Sequence, residues 1–208
     1  MPNHADTRLK RLPERGSYDH DLACAIIDAA KIGHVGVTLD GQPYVIPMAI
    51  ARSGNRLLLH GSTASRLLRA LAGGAPCCVT VTHLDGLVLA RSAFHSSMNY
   101  RSLMVFGTAA EITEPGEKLA ALDALVEHLL PGRSATLRRS TRKEINATTL
   151  LALPLETFSI KQRQGPPNDA AGDLNARVWA GVIPLSVATG EPIDAPDLAP
   201  GAGPPPTG

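Results

Sequence analysis

The chain has 208 residues, of which 44% are hydrophobic and 19% charged, and 20 basic against 19 acidic side chains leave a formal charge of +1 at pH 7. This length and apolar content suit a single domain with one core. The near-zero charge argues against nucleic acid as a partner. The sequence also lacks a run of about 18 apolar residues, the length that a helix needs to cross a membrane.

Residues 1–16 form a predicted N-terminal extension whose charged sequence lacks the apolar middle of a secretory signal, so we expect a cytoplasmic protein. Asp19 suits an N-cap, and the apolar spacing after it predicts a helix over residues 20–31. The dipeptide Asp40-Gly41 separates two runs rich in Val, Ile and Tyr and predicts a hairpin. Its two strands span residues 34–39 and 43–51.

A strand, a tight turn and a helix follow. The strand covers residues 56–60 and the helix residues 64–72, with Ser62 as the expected N-cap. Asp85 is predicted to lie in a turn, because β-rich runs flank it. Those runs span residues 77–82 and 86–90, and a further strand is predicted over residues 102–112.

The C-terminal third begins with an amphipathic helix that starts at Thr113-Glu114-Pro115 and ends at Pro131-Gly132. A short helix over residues 143–148 and a final strand over residues 150–163, interrupted by Pro154, complete the predicted domain. The last stretch, residues 186–208, is rich in Pro, Gly and Ala and is predicted to be disordered. The domain therefore spans residues 17–185.

Short strands joined by hairpins, with helices inserted between them, predict a mainly β fold with peripheral helices. Cys24, Cys77 and Cys78 are too few for a disulfide framework, and neighbours on a strand point to opposite faces, so we expect reduced thiols. No two of the seven histidines have the close spacing of a zinc motif, so no metal site is expected.

The segment from Leu57 to Arg66 carries the clearest candidate for a binding site. Gly61, Ser62 and Ser65 offer hydroxyls and backbone amides at the start of a predicted helix, and Arg66 adds a guanidinium suited to phosphate oxygens. The alternative is ordinary N-capping by Ser62 with Arg66 in solvent. These residues alone leave both possibilities open.

Two further polar clusters could take part. One is Ser96–Ser102, predicted to be a polar turn or a group of side chains at the rim of a barrel. The other, around Lys161 and Arg163, puts two cations at the end of the last long strand, where simple exposure also explains them.

Three segments together resemble the pyridoxamine 5'-phosphate oxidase-related FMN-binding proteins, in particular the flavin-nucleotide-binding and nitroimidazole-resistance branch. They are Pro43–Met48, Leu57–Leu71 and Ala90–Gly107, and the resemblance covers about residues 12–185. It implies a six-stranded antiparallel split barrel that is homodimeric, with FMN at the subunit interface.

The resemblance also implies which residues hold the cofactor. Ser65 and Arg66 match the phosphate-binding Ser-Arg pair of the oxidase, but Leu67 stands where the oxidase has a lysine. Arg101, Lys161 or Arg163 would then supply the missing cation, the last two from the partner subunit. The implied cofactor-binding residues are Tyr44, Pro47, Met48, His60, Gly61, Ser62, Ser65, Arg66, Asn99, Tyr100, Arg101, Ser102, Lys161 and Arg163.

The function implied is a flavin-dependent oxidoreductase acting on an unidentified small molecule, with catalytic residues unknown because the flavin carries the chemistry. Residues 165–173 do not match the substrate-gripping arginine and histidine of the oxidase. The alternative is a non-catalytic storage or sensor protein of the same fold that binds flavin, or ligates haem through a histidine such as His60. A deazaflavin in place of FMN, or an empty scaffold, are further alternatives.

Overall fold

The computed structural model describes residues 6–204, so the first five positions of the predicted extension and the last four of the predicted tail lie outside it. The described chain folds into ten strands and four α-helices. The strands are β1 (Gly16–Ser17), β2 (Ile32–Leu39), β3 (Gln42–Ser53), β4 (Arg56–Ser62), β5 (Pro76–Leu89), β6 (Ser97–Thr108), β7 (Ala110–Glu111), β8 (Thr148–Pro154), β9 (Thr157–Arg163) and β10 (Gly181–Pro184). The helices are α1 (His20–Ala29), α2 (Arg66–Ala72), α3 (Pro115–Leu129) and α4 (Arg142–Ala147).

Elements with strong local signals form as predicted. The Asp19 carboxylate accepts a hydrogen bond of 2.7 Å from the Leu22 amide and caps α1. The β2–β3 hairpin turns through Asp40 and Gly41, whose φ angles of 51° and 79° are those of the primed turn that such a dipeptide favours. Strand β3 extends two residues beyond its predicted end.

The predicted turn at Asp85 is wrong. Strand β5 runs without a break from Pro76 to Leu89, and Asp85 is the extra residue of a β-bulge opposite β6. The predicted start of β6 is also wrong, because pairing with β5 begins at Ser97 and places Asn99–Ser102 inside the strand. Long-range pairing therefore overrides turn signals that are local.

The sheet order is β1-β9-β6-β5-β2-β3-β4-β8-β7, and β10 pairs separately with β5. All pairs are antiparallel, and ten strands replace the six expected. The single final strand predicted over residues 150–163 is two strands, since β8 pairs with β4 while β9 pairs with β6. The sheet curls until these consecutive strands meet, which gives a split barrel.

Two apolar clusters hold the fold together. The larger cluster fills the barrel and includes Val79 of β5. Helices α1 and α2 close it through residues such as Ile26 and Leu68. The smaller lies between the sheet and α3, and it includes Leu58, Leu125 and Leu150. Because side chains alternate along a strand, β4 serves both clusters, with Leu57 and Leu59 facing the barrel and Leu58 facing α3.

The chain after β9 crosses the sheet and returns as β10, which the sequence did not predict. The Asp169 carboxylate, only 2% exposed, anchors this crossing, because it accepts bonds of 2.6 and 2.8 Å from the amide and guanidinium of Arg91. Residues 186–204 have neither helix nor strand and are exposed throughout. None of the described helices combines the length and apolar character that crossing a membrane requires.

Candidate functional site

The turn between β4 and α2 is fixed by its own serines. Ser65 caps α2 by accepting a 3.3 Å bond from the Leu68 amide, so the predicted capping by Ser62 is wrong. The Ser62 hydroxyl instead accepts from the Ala64 amide at 3.1 Å. The Thr63 amide donates a 3.1 Å bond to the Ala147 carbonyl at the end of α4, which links this turn to α4. With only seven residues, α2 has a small dipole, so an anion here would depend mainly on Arg66.

Arg66 lies across the ring of Tyr44, with its guanidinium carbon 4.5 Å from the ring centroid. This contact joins the start of α2 to β3 and brings together two residues that the resemblance assigns to one site. The guanidinium forms no ion pair with any residue of the 6–204 range. Its hydrogen-bonding edges are therefore available to an external anion.

Strand β3 has a free edge beside this contact. Residues 42–49 pair with β2 alone, whereas the last third of the strand, Ile50–Ser53, pairs with β4. Pro47 is exposed at this edge, and Met48 packs partly against the barrel core. The predicted cofactor-binding strand is thus an accessible edge next to Arg66.

His60 lies at the end of β4, half-buried, on the same face as Leu58. Its Nδ1 atom is buried and lacks a hydrogen-bond partner among the described residues. Burial lowers the pKa of the imidazole, so His60 is neutral at pH 7. A buried imidazole nitrogen without a partner is costly to the fold and is a candidate for contact with a ligand.

The other predicted residues lie on β6 and β9, and most of them are already bonded to side chains or carbonyls of the same chain. Arg101 forms a two-pronged ion pair with Asp85 at 2.8 and 2.9 Å, and its guanidinium lowers the pKa of that carboxyl. Arg163 donates at 2.5 Å to the buried Asn99, and Lys161 donates at 2.9 Å to the Arg11 carbonyl. Ser102 pairs with the Thr82 hydroxyl at 3.3 Å. Together with Tyr100, several of them line a small polar cavity of about 270 Å³.

Tyr44 and Arg101 are not brought together within one chain. Tyr44 pairs with Val37, which pairs with Cys77, whereas Arg101 pairs with His83, six residues further along β5. At about 3.3 Å per residue Tyr44 and Arg101 lie on the order of 20 Å apart along the strands, while Pro47, which pairs with His34 and through it with Thr80, lies closer to the level of Arg101. A phosphate bound at Arg66, beside Tyr44, is therefore out of reach of Arg101 in the same chain.

The structure also has a larger cavity, of about 730 Å³, that the sequence did not predict. Of the residues in its lining, only Tyr44 is among the predicted site residues. It lies at the end of the sheet where β2, β3, β5 and β6 approach the β8–β9 connection. Its other lining residues include Gly36, Cys78, Phe106 and Glu156, which are small, apolar or acidic and far apart in sequence. No local pattern marks such a cavity, because strand pairing alone assembles it.

Comparison with known proteins identifies the family. The family model for pyridoxamine 5'-phosphate oxidase matches residues 19–162, more than half of the chain. The chain belongs to the pyridoxamine 5'-phosphate oxidase-like split-barrel family. A search of the curated proteins found no match.

Two solved structures of this family resemble the chain over nearly its full length. The FAD and haem binding protein from Mycobacterium smegmatis is 45% identical, with a TM-score of 0.89 over 92% of this chain and 94% of that one. The flavocytochrome Anf3 from Azotobacter vinelandii is 39% identical, with a TM-score of 0.90 over 97% and 94%. A proposed 5-nitroimidazole antibiotic resistance protein from Bacteroides thetaiotaomicron, 24% identical over 70% and 85% with a TM-score of 0.59, shares the fold.

The resemblance places Leu67 where the oxidase has a lysine. Leu67 is 4% exposed and packs in the barrel core with Leu68 and Leu71. The position that the resemblance matches to the oxidase lysine is therefore part of the apolar interior here.

Replacing the buried leucine by the oxidase residue, Leu67→Lys, should destabilise the fold by roughly 2 to 4 kcal/mol, because an ammonium group would be moved into an apolar core. Urea unfolding of the purified protein measures the change. Arg69→Lys, on the exposed face of the same helix, is the matched control and should leave the midpoint unchanged. A stable Leu67→Lys variant with higher affinity for FMN would contradict this interpretation of Leu67.

Proposed function

We propose that this protein is a redox protein that binds FAD and haem. The observation that carries the proposal is the similarity, at 45% and 39% identity over more than nine-tenths of the chain, to proteins described as binding FAD and haem or as a flavocytochrome. It favours the haem-binding alternative over a flavin-only oxidoreductase. When bound, a flavin supplies hydride or electron transfer and a haem supplies one-electron or oxygen chemistry.

The charge at Arg66 favours FAD over the FMN expected from the resemblance. The terminal phosphate of FMN is a monoester with a second pKa near 6, so it carries close to two negative charges at pH 7. Each phosphate of the FAD pyrophosphate carries only one. A site with a single unpaired guanidinium, and with Leu67 buried beside it, suits the lower charge density.

Arg66 would hold one phosphate of the pyrophosphate through its two parallel N–H groups while the Tyr44 ring supports its flat face. The Ser62 hydroxyl can donate a further hydrogen bond, because its oxygen only accepts in the turn. The free edge of β3 beside Arg66 offers backbone groups to a flat ring. These residues bind and orient the cofactor, and the proposal assigns no acid or base to the chain.

His60 is the proposed haem ligand. Iron binds the neutral imidazole, and burial keeps His60 in that form. Three other histidines are already engaged, since His20, His83 and His128 donate to Asn55, Ile26 and Ala30. His34 and His95 form no hydrogen bond with described residues and are the competing candidates.

We also propose that the protein acts as a homodimer with cofactors near the subunit interface. The outer face of the sheet carries exposed Ile32, Val45 and Met104, of which Val45 is 66% exposed. Large apolar side chains on one sheet face are typical of a surface that binds a partner. A second copy of the chain could place its own Arg101 and Lys161 close to the Arg66 of the first copy.

The flavin assignment is tested by Arg66→Ala. We expect FAD to bind about 10- to 100-fold more weakly, roughly 1.5 to 3 kcal/mol, because a charge-assisted hydrogen bond to phosphate is lost. Titration of the flavin-free protein, followed by fluorescence or calorimetry, measures the affinity. Arg69→Ala, one turn further along α2, is the control and should bind FAD like the unchanged protein. Equal affinities for both variants would exclude Arg66 from the site.

The haem assignment is tested by His60→Ala. We expect this variant to lose the Soret band after haem reconstitution, while FAD affinity changes by less than about threefold because Arg66 is intact. His34→Ala and His95→Ala should retain the band. Since burial lowers the pKa of His60, protonation should release haem only at a pH below the ordinary histidine pKa of about 6.5. Loss of the band in one of the control variants alone would transfer the role to that histidine.

The dimer is tested by placing a charge on the outer sheet face with Ile32→Asp. Sedimentation should give twice the 21.8 kDa chain mass for the unchanged protein and a single chain mass for the variant, because a buried carboxylate at an interface is unfavourable. Leu129→Asp alters a similarly exposed leucine on α3 and should leave the dimer intact. A monomeric unchanged protein that still binds both cofactors would disprove the shared site.

A further inference from the structure

The cavity of about 730 Å³ at the end of the sheet has a glycine in its floor. Gly36 lies on this floor between β3 and β5, and a Cβ atom there would come within 4.0 Å of the Cys78 and Tyr44 carbonyls and of Val45. Phe106 of β6 adds an aromatic ring, and Val45 adds an exposed aliphatic surface. A mainly apolar floor beside the aromatic side chain of Phe106 suits a planar ring system.

The charge of the cavity restricts what can enter it. Its lining contains no Lys, Arg or His, and its one ionisable carboxylate is the exposed Glu156. Burial raises the pKa of the Cys78 thiol, so this group stays neutral at pH 7. A phosphate or a haem propionate would find no cation here, so the cavity favours a neutral group with hydrogen-bond donors, such as an exocyclic amine or ribose hydroxyls.

The cavity and the Arg66 site share one residue. Tyr44 lines the cavity, and its ring also supports the Arg66 guanidinium at 4.5 Å. The ring packs on the barrel side of β3, whereas Gly36 and Val45 lie on the outer side, so a ligand whose phosphate binds Arg66 would reach the cavity floor around the free edge of β3. The ligand would have to combine a phosphate group with a neutral, planar, hydroxyl-bearing half.

We propose that this cavity binds the adenosine half of FAD. The purine lies on the Gly36 floor against Phe106, and Glu156 accepts hydrogen bonds from the ribose or from the purine amine. This inference rests on the proposed function, because it extends the flavin assigned to Arg66. It makes the cavity the feature that selects FAD over FMN, which has the same flavin and a phosphate but no adenosine.

The test compares FAD, FMN and AMP on the flavin-free full-length protein by calorimetry. The unchanged protein should bind FAD about tenfold or more tightly than FMN, and AMP should compete with FAD. Thr108→Trp adds bulk to an exposed residue of the cavity wall, so it should lower FAD affinity about tenfold and leave FMN affinity unchanged. Thr113→Trp alters an exposed threonine outside the cavity and should leave both affinities unchanged.

A second pair of variants tests the polar contact. Glu156→Ala should weaken FAD a few-fold without affecting FMN, whereas Glu111→Ala, an exposed carboxylate on β7, should affect neither. Retained FMN binding in each variant shows that the chain is folded and the Arg66 site intact. Equal affinity of the unchanged protein for FAD and FMN, or equal weakening of both by Thr108→Trp, would overturn the adenosine site. Binding of neither flavin by the unchanged protein would instead overturn the proposed function.

Discussion

The contact between Arg66 and Tyr44 is the interaction on which the rest of the site depends. It bridges the split of the barrel, where β3 pairs only with β2 and β4 continues beside β8. An arginine over a ring keeps its charge while its rotation is restricted, and such stacking contributes about 0.5 to 1 kcal/mol at exposed sites. The contact therefore holds a cation at the free edge of β3 without neutralising it. A carboxylate partner would have held Arg66 equally well but would have left no charge for a ligand.

Other arginines show the alternative, in which a partner within the protein holds the guanidinium. Arg52, Arg91 and Arg101 each form an ion pair with an aspartate, and Arg163 is held by Asn99 and two carbonyls. These guanidiniums stabilise parts of the protein, such as the β-bulge at Asp85 and the chain crossing at Asp169, and are not available to a ligand. A chain with nearly equal numbers of acids and bases can thus leave a cation available where the fold needs one. Net charge carries no information about this placement.

Sequence analysis predicted the features that are determined locally. The Asp19 cap, the Asp40-Gly41 hairpin and the helix after Pro115 each depend on residues within one turn of one another. It failed where two local patterns are equivalent and distant pairing decides between them. Asp85-Gly86 is as good a turn signal as Asp40-Gly41, but β6 pairs across it and makes a bulge.

The same limit applies to the candidate site. The sequence could not distinguish Ser62 from Ser65 as the cap of α2, because both serines can accept a bond from a nearby amide and the turn that holds them is also linked to Ala147, 84 positions from Thr63. Arg66 was predicted by resemblance, but its stacking on Tyr44 depends on how β3 bends away from β4. The large cavity has residues from six strands and a connection between strands, so no local pattern predicts it.

In the proposed flavin site, core packing and cofactor choice are coupled at Leu67. The residue after Arg66 belongs to the barrel interior, so replacing it by a cation would cost core stability as well as alter the proposed phosphate site. A site with few phosphate-binding cations favours a ligand that gains binding energy elsewhere, and in our proposal the neutral cavity at Tyr44 provides it. If the second copy completes the site, cofactor binding and dimerisation stabilise each other by mass action, since a ligand held by both chains binds the assembled state best. The affinity of the flavin would then depend on protein concentration, a property that neither chain encodes alone.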